Sequence, residues 1–130
     1  MRYTVLILLL IALTSFNSNR NEDEQKIVQK CFDLKRVMNF FQEKQIMILD
    51  NGKVSPKIKI SINGQEVAFM TEKELTAKSI KAFIVFHKFD IKKDLASVYF
   101  RLDSEGMGAE IELEKQKSDW KVISEKVYEN

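Results

Sequence analysis

This chain of 130 residues has one cysteine, one proline, one histidine, one tryptophan and four glycines. A lone Cys31 excludes an intramolecular disulfide framework, so any fold must rest on its hydrophobic core. It also excludes a zinc site built from paired cysteines. With one proline and few glycines there is no low-complexity linker to divide the chain. Its length fits a single domain. Lysine plus arginine number 21 and aspartate plus glutamate 19, with the two signs interleaved. No basic block stands out, which argues against a nucleic-acid-binding surface.

Long hydrophobic runs are scarce too. The one near the start, from Val5 to Leu13, follows Met1-Arg2 and precedes the polar stretch Thr14-Ser15-Phe16-Asn17-Ser18-Asn19. A charged start, a short apolar middle and a small or polar exit are the layout of a secretory signal peptide. The run is too short for a membrane span, which needs roughly 20 apolar residues. Residues 1–18 therefore read as a leader cut after Ser15 or Ser18. The remainder, 19–130, reads as one exported domain, periplasmic or secreted. Cys31 lies too far from the apolar run for a lipoprotein signal.

After a polar lead over 19–25, expected to fray, the spacing predicts one long helix over 26–49. Ile27, Cys31, Leu34, Met38 and Phe41 recur at steps of three and four, and Val28, Phe32, Val37 and Phe40 widen the stripe. Cys31 is expected in the core as a small hydrophobe. Asp50-Asn51-Gly52 supplies the stop. A hairpin follows. Ile58, Ile60 and Ile62 alternate with polar residues, Asn63-Gly64 is the turn, and Ile62 pairs with Gln65, Ile60 with Val67 and Ile58 with Phe69. Thr71-Glu72-Lys73-Glu74 forms a capping box opening a short helix over 72–79.

The rest reads as an antiparallel meander. Residues 82–91 are apolar at nearly every position, so that strand is expected to be covered on both faces. With Lys93-Asp94 as the turn, Phe89 pairs with Val98, His87 with Phe100 and Val85 with Leu102. Met107, Ala109, Ile111 and Leu113 alternate with Glu110, Glu112 and Glu114. In the last strand, from Trp120 to Tyr128, parity slips between Val122 and Ile123, as a β-bulge would cause.

This α+β order is a long N-terminal helix packed on a curved antiparallel sheet made of a hairpin, a short helix and a four-stranded meander. It resembles the cystatin-like folds, especially nuclear transport factor 2-like domains and their small exported members in Bacteroidetes-type bacteria. The resemblance rests on the hairpin 58–69, the strand 82–91, Leu95-Ala-Ser-Val-Tyr-Phe-Arg-Leu102, and the ending Ile111-Glu-Leu-Glu-Lys115 and Asp119-Trp-Lys-Val-Ile123. It implies a cone-shaped pocket between helix and sheet, used in that group for unrelated purposes. Fold alone does not assign one.

The chemistry on offer is thin. His87, between Phe86 and Phe89, is the single candidate acid–base residue. On the register above it faces the core, and Asp90, Tyr99 and Asp103 face the other way. That makes it structural rather than catalytic. The row Glu110, Glu112, Glu114 reads as a solvated face, because a calcium site needs oxygens converging from loops. Gly106-Met107-Gly108 opens no helix and so is no phosphate loop. No serine sits in a nucleophile motif. No catalytic set, metal or cofactor is expected. The leading expectation is a non-enzymatic binding or interaction module, with a small apolar ligand or a protein partner, and a homodimer through the sheet face as one form of the latter. The alternatives are a small isomerase- or hydrolase-type enzyme using His87, and an inhibitor or immunity-type protein.

Overall fold

A computed structural model describes residues 20–41 and 45–130. The expected leader, 1–18, lies outside the described residues. The described part is α+β, with a six-stranded mixed sheet. Helix α1 covers residues 20–32 of the described part, so the polar lead is helical from residue 20 rather than frayed. Ile27, Val28, Cys31 and Phe32 bury the predicted face of α1 completely or nearly so.

The single helix expected over 26–49 is not formed. Leu34 takes an extended conformation (φ −62°, ψ 129°), and the chain resumes as the short helix α2, Lys35–Met38. Val37 and Phe41 still reach the core, while Met38 is exposed. Further along, Met47–Leu49 is a strand, β1. The run Ile46-Met47-Ile48-Leu49 is apolar at every position, and such a short run carries no period to tell helix from buried strand. Its place decides: β1 sits between two parallel neighbours, which cover its edges while the core covers Ile48.

The Asn63-Gly64 turn joins β2, Ser61–Ile62, to β3, Gln65–Glu66. Both turn residues have positive φ, 53° and 78°, which asparagine and glycine tolerate best. Ile62 faces Gln65, as expected, and the Val67 amide donates to the Ile60 carbonyl at 2.8 Å. The ladder ends there. Phe69 does not pair with Ile58; it joins β4, Phe69–Met70, beside Ile48 in the large sheet. Gln29 on α1 accepts from the Ser61 amide at 2.9 Å and donates to its carbonyl at 3.0 Å, and Gln25 accepts from Lys59. These side chains close the outer edge of β2. The capping box forms as expected on α3, Glu72–Ala77.

The meander follows: β5, Phe83–Lys92; β6, Leu95–Leu102; a 3-10 turn, Asp103–Glu105; β7, Met107–Gln116; and β8, Asp119–Glu129. The sheet order is β4-β1-β5-β6-β7-β8. β5 to β8 are antiparallel, but β1 runs parallel to both β4 and β5, so the sheet is mixed rather than antiparallel throughout.

One face of this sheet packs on α1 and α2. Trp120 Nε1 donates to Asp23 at 3.0 Å, Lys26 donates to the Ser118 carbonyl at 2.7 Å, and Arg36 donates to the Val127 carbonyl at 2.8 Å. Between helix and sheet, where the sequence suggested a pocket, the rings of Phe32, Phe41, Phe86, Phe89 and Phe100 touch one another at centroid distances of 5.4–6.1 Å. On the opposite face, Leu75 of α3 sits near Leu49 and Phe83. That leaves the outer face of β5–β8 uncovered by any described element. Among the described residues, no helix is long and apolar enough to cross a membrane.

Candidate functional site

The outer face of the meander is ordered by its pairing registers. Reading across β5, β6, β7 and β8, the cross-strand rows are Lys92–Leu95–Glu114–Lys121, then Asp90–Ser97–Glu112–Ser124. Next come Lys88–Tyr99–Glu110–Lys126 and Val85–Arg101–Gly108–Tyr128. Residues directly opposite in a sheet share a face. Each row therefore brings its side chains together, and successive rows lie about 7 Å apart.

His87 is not where the sequence placed it. The register shifts between Phe86 and Lys88, so Phe86, not His87, pairs with Phe100, and Ile84, not Val85, with Leu102. Beyond the shift the expected pair Phe89–Val98 holds. The extra residue of this bulge is His87 itself, which is exposed. Asn51 donates to the Phe86 carbonyl at 2.9 Å and so fixes the bulge from the neighbouring loop. The imidazole lies against Tyr99, ring centroids 5.3 Å apart. Val85 is half-buried and pairs with Arg101, so β5 is not covered on both faces.

Tyr99 belongs to a built cluster. Tyr128 Oη donates to Tyr99 Oη at 3.1 Å. The Arg101 guanidinium carbon stands 5.8 Å from the Tyr128 ring centre, and Arg101 Nε donates to Asp103 at 2.8 Å. Tyr128 can lie there because its row partner is glycine. A Cβ on Gly108 would come within 2.5 Å of the Tyr128 ring, so the ring occupies the space a side chain would fill. The hydrogen bond from Tyr128, then that from Arg101, pulls the Tyr99 hydroxyl below the usual phenol range. Donating that bond, Tyr128 is pushed above it.

Two shallow clefts adjoin the cluster. One, of about 360 Å³, is walled by Lys88, Ser97, Tyr99, Glu110, Ser124 and Lys126, among others. The second, of about 300 Å³, shares Lys88, Ser97 and Glu112 with it and ends at Leu95 and Ile123. Leu95 and Ile123 are 54% and 49% exposed, high for large aliphatic side chains. Ile123 is held outward by the bulge in β8: Glu112 pairs with Ser124 and Leu113 with Val122, leaving Ile123 as the extra residue, where the sequence parity slips.

Sequence reasoning pointed to His87, set Tyr99 on the opposite face from it, and missed Arg101 and Tyr128. The available signal was Gly108, a glycine inside a strand, which often marks a close approach of another group. Elsewhere Cys31 is fully buried, and burial pushes its thiol well above the usual range. Among the described residues no group of three His, Cys, Asp or Glu side chains could hold a metal ion. Compared with known proteins, the chain matches no family model, no curated protein and no solved structure.

Proposed function

We propose that this chain is an exported, non-enzymatic binding or interaction module that works through the outer face of β5–β8. The observation that carries the reading is the cluster of Tyr99, Tyr128, Arg101 and His87 on a sheet face that no described element covers. Tyrosine and arginine supply large contact surfaces with polar handles and are over-represented among residues that dominate binding. The phenylalanine packing between α1 and the sheet favours recognition at the surface over an enclosed apolar ligand. Export rests on the leader pattern of residues 1–18. Kinship with cystatin-like and nuclear transport factor 2-like domains is supported by the part of the expected order that remains: an N-terminal helix, the Asn63-Gly64 turn, a short capped helix and the antiparallel meander. A second copy of the chain, or a protein bound in the manner of an inhibitor, can occupy the same face.

The enzyme reading keeps one observation, the contact between His87 and Tyr99, whose hydroxyl ionises more readily than usual. Complementation of a deletion strain separates the two. The double variant Tyr99→Ala, Tyr128→Ala should be folded and exported but inactive, while His87→Phe, which keeps a ring against Tyr99, should restore function. Full activity of the double variant would remove the outer face from consideration. Loss of activity in His87→Phe alone would put the enzyme first.

A further inference from the structure

We propose that Tyr99 and Tyr128 are an oxidative cross-link site, coupled into a dityrosine that ties the edge strand β8 to β6 across β7. The proposal goes beyond the binding reading and holds whatever the outer face binds. The chain has three tyrosines, and Tyr3 falls in the expected leader. The domain 19–130 therefore keeps two, and those two are the pair in contact. Their hydroxyl oxygens stand 3.1 Å apart, although the residues lie 29 positions apart in the chain and on strands that β7 separates. Gly108 clears the way between them, because its missing side chain leaves room for the Tyr128 ring. Arg101 backs that ring at 5.8 Å from its centre. Both tyrosines are only half-buried, so an oxidant in solution can reach them.

A phenol is oxidised most readily as its anion, which loses an electron without shedding a proton. The hydrogen bonds from Tyr128 and then Arg101 favour that anion at Tyr99. The oxidant is hydrogen peroxide activated by a haem peroxidase, and compartments outside the cytosol are the oxidising ones. Each phenol gives up one electron and one proton, and the two phenoxyl radicals join through a carbon ortho to each oxygen. The ring hydrogens at the joined carbons then move to the oxygens and restore both phenols. The peroxide takes up the two electrons and two protons and leaves as two waters. In the product the two oxygens flank the new carbon–carbon bond and share a hydrogen bond. The contact between Tyr99 and Tyr128 already holds its oxygens in that arrangement. Coupling closes a chain segment of 29 positions and so restrains the unfolded state. It also pins the sheet edge at β8, where an unpaired strand invites pairing with other chains.

The test treats the purified exported protein with a haem peroxidase and stoichiometric hydrogen peroxide. Expected are dityrosine fluorescence, loss of two hydrogen atoms from the intact monomer, and one cross-linked peptide pair joining Tyr99 to Tyr128. The yield should not change with protein concentration, and the urea midpoint of the product should rise. Tyr99→Phe and Tyr128→Phe keep the rings and should each abolish the monomeric product. Gly108→Ala keeps both tyrosines but puts a Cβ within 2.5 Å of the Tyr128 ring, which must swing aside. With the orientation lost, its yield should fall about tenfold while circular dichroism shows the fold intact. The phenylalanine variants carry the test by themselves where Gly108→Ala does not fold. Protein recovered from its own compartment after peroxide exposure should carry the same peptide pair. Coupling only between molecules, rising with concentration, overturns the proposal. So does an unchanged yield in folded Gly108→Ala, or absence of the peptide pair from the recovered protein. None of these outcomes touches the binding reading, which the complementation of the deletion strain decides.

Discussion

Glu24 is a carboxylate with a relative exposure of only 6%, and burial raises its pKa above the ordinary value. Arg20 and a hydrogen bond from the Ser55 backbone pull the other way but do not cancel the desolvation. The consequence has a definite sign. A group that holds its proton more tightly when folded stabilises the fold fully below its unfolded pKa. That contribution is lost as pH rises through the folded value. Glu24→Gln keeps an acceptor for Ser55 and removes the ionisation. Urea unfolding should therefore show the variant gaining stability relative to the parent as pH rises from about 4 to about 7. A difference that stays constant across that range would mean that Glu24 is solvated when folded. Asp119 behaves oppositely. The Trp120 backbone amide and then Lys30 hold it below the usual carboxylate range, so its contribution appears above the unfolded value and is lost on acidification.

At the scale of elements, some registers were legible and others were not, for one reason. A register can be read where apolar and polar residues alternate. The Ile58–Ile62 alternation and the Asn63-Gly64 turn placed Ile62 opposite Gln65, and the parity slip at Val122-Ile123 marked the β8 bulge. Residues 82–86 are apolar on both sides of the strand and carry no parity to set against the alternation Lys88, Phe89, Asp90, Ile91, so an extra residue between the two stretches leaves no trace. The bulge at His87 was invisible for that reason, and with it the true facing of the one candidate catalytic residue. The loss of hairpin pairing beyond Val67 was equally hidden, because Phe69 is apolar enough for either partner. Gln29 makes one prediction at this scale. Its amide is the edge partner of Ser61, so Gln29→Ala should cost about 1 kcal/mol and speed hydrogen exchange at the Ser61 amide. Unchanged exchange there would mean that water closes that edge equally well.

For the molecule as a whole, one core joins α1, α2, the hairpin and the sheet. Phe41 and Ile60, both on expected apolar faces, are 0% and 1% exposed. Phe41 also meets the Phe32 ring edge-on at 5.4 Å. Phe41→Ala should cost about 3–5 kcal/mol, a large part of a domain's stability. A urea midpoint within error of the parent would mean that Phe41 is not in this core. The parallel pairing of β1 was beyond the sequence, because it depends on which strand the chain returns to, not on any local pattern.

The same layering, helices on one face and α3 over part of the other, is what leaves the outer meander bare. The most direct test of that surface as the working face is hydroxyl-radical footprinting of the protein in its native compartment against the purified protein. Leu95, Tyr99, Ile123 and Tyr128 should be protected in the compartment, while Met38, exposed on α2, should label equally in both. Equal labelling of all five residues in the two settings would contradict the account.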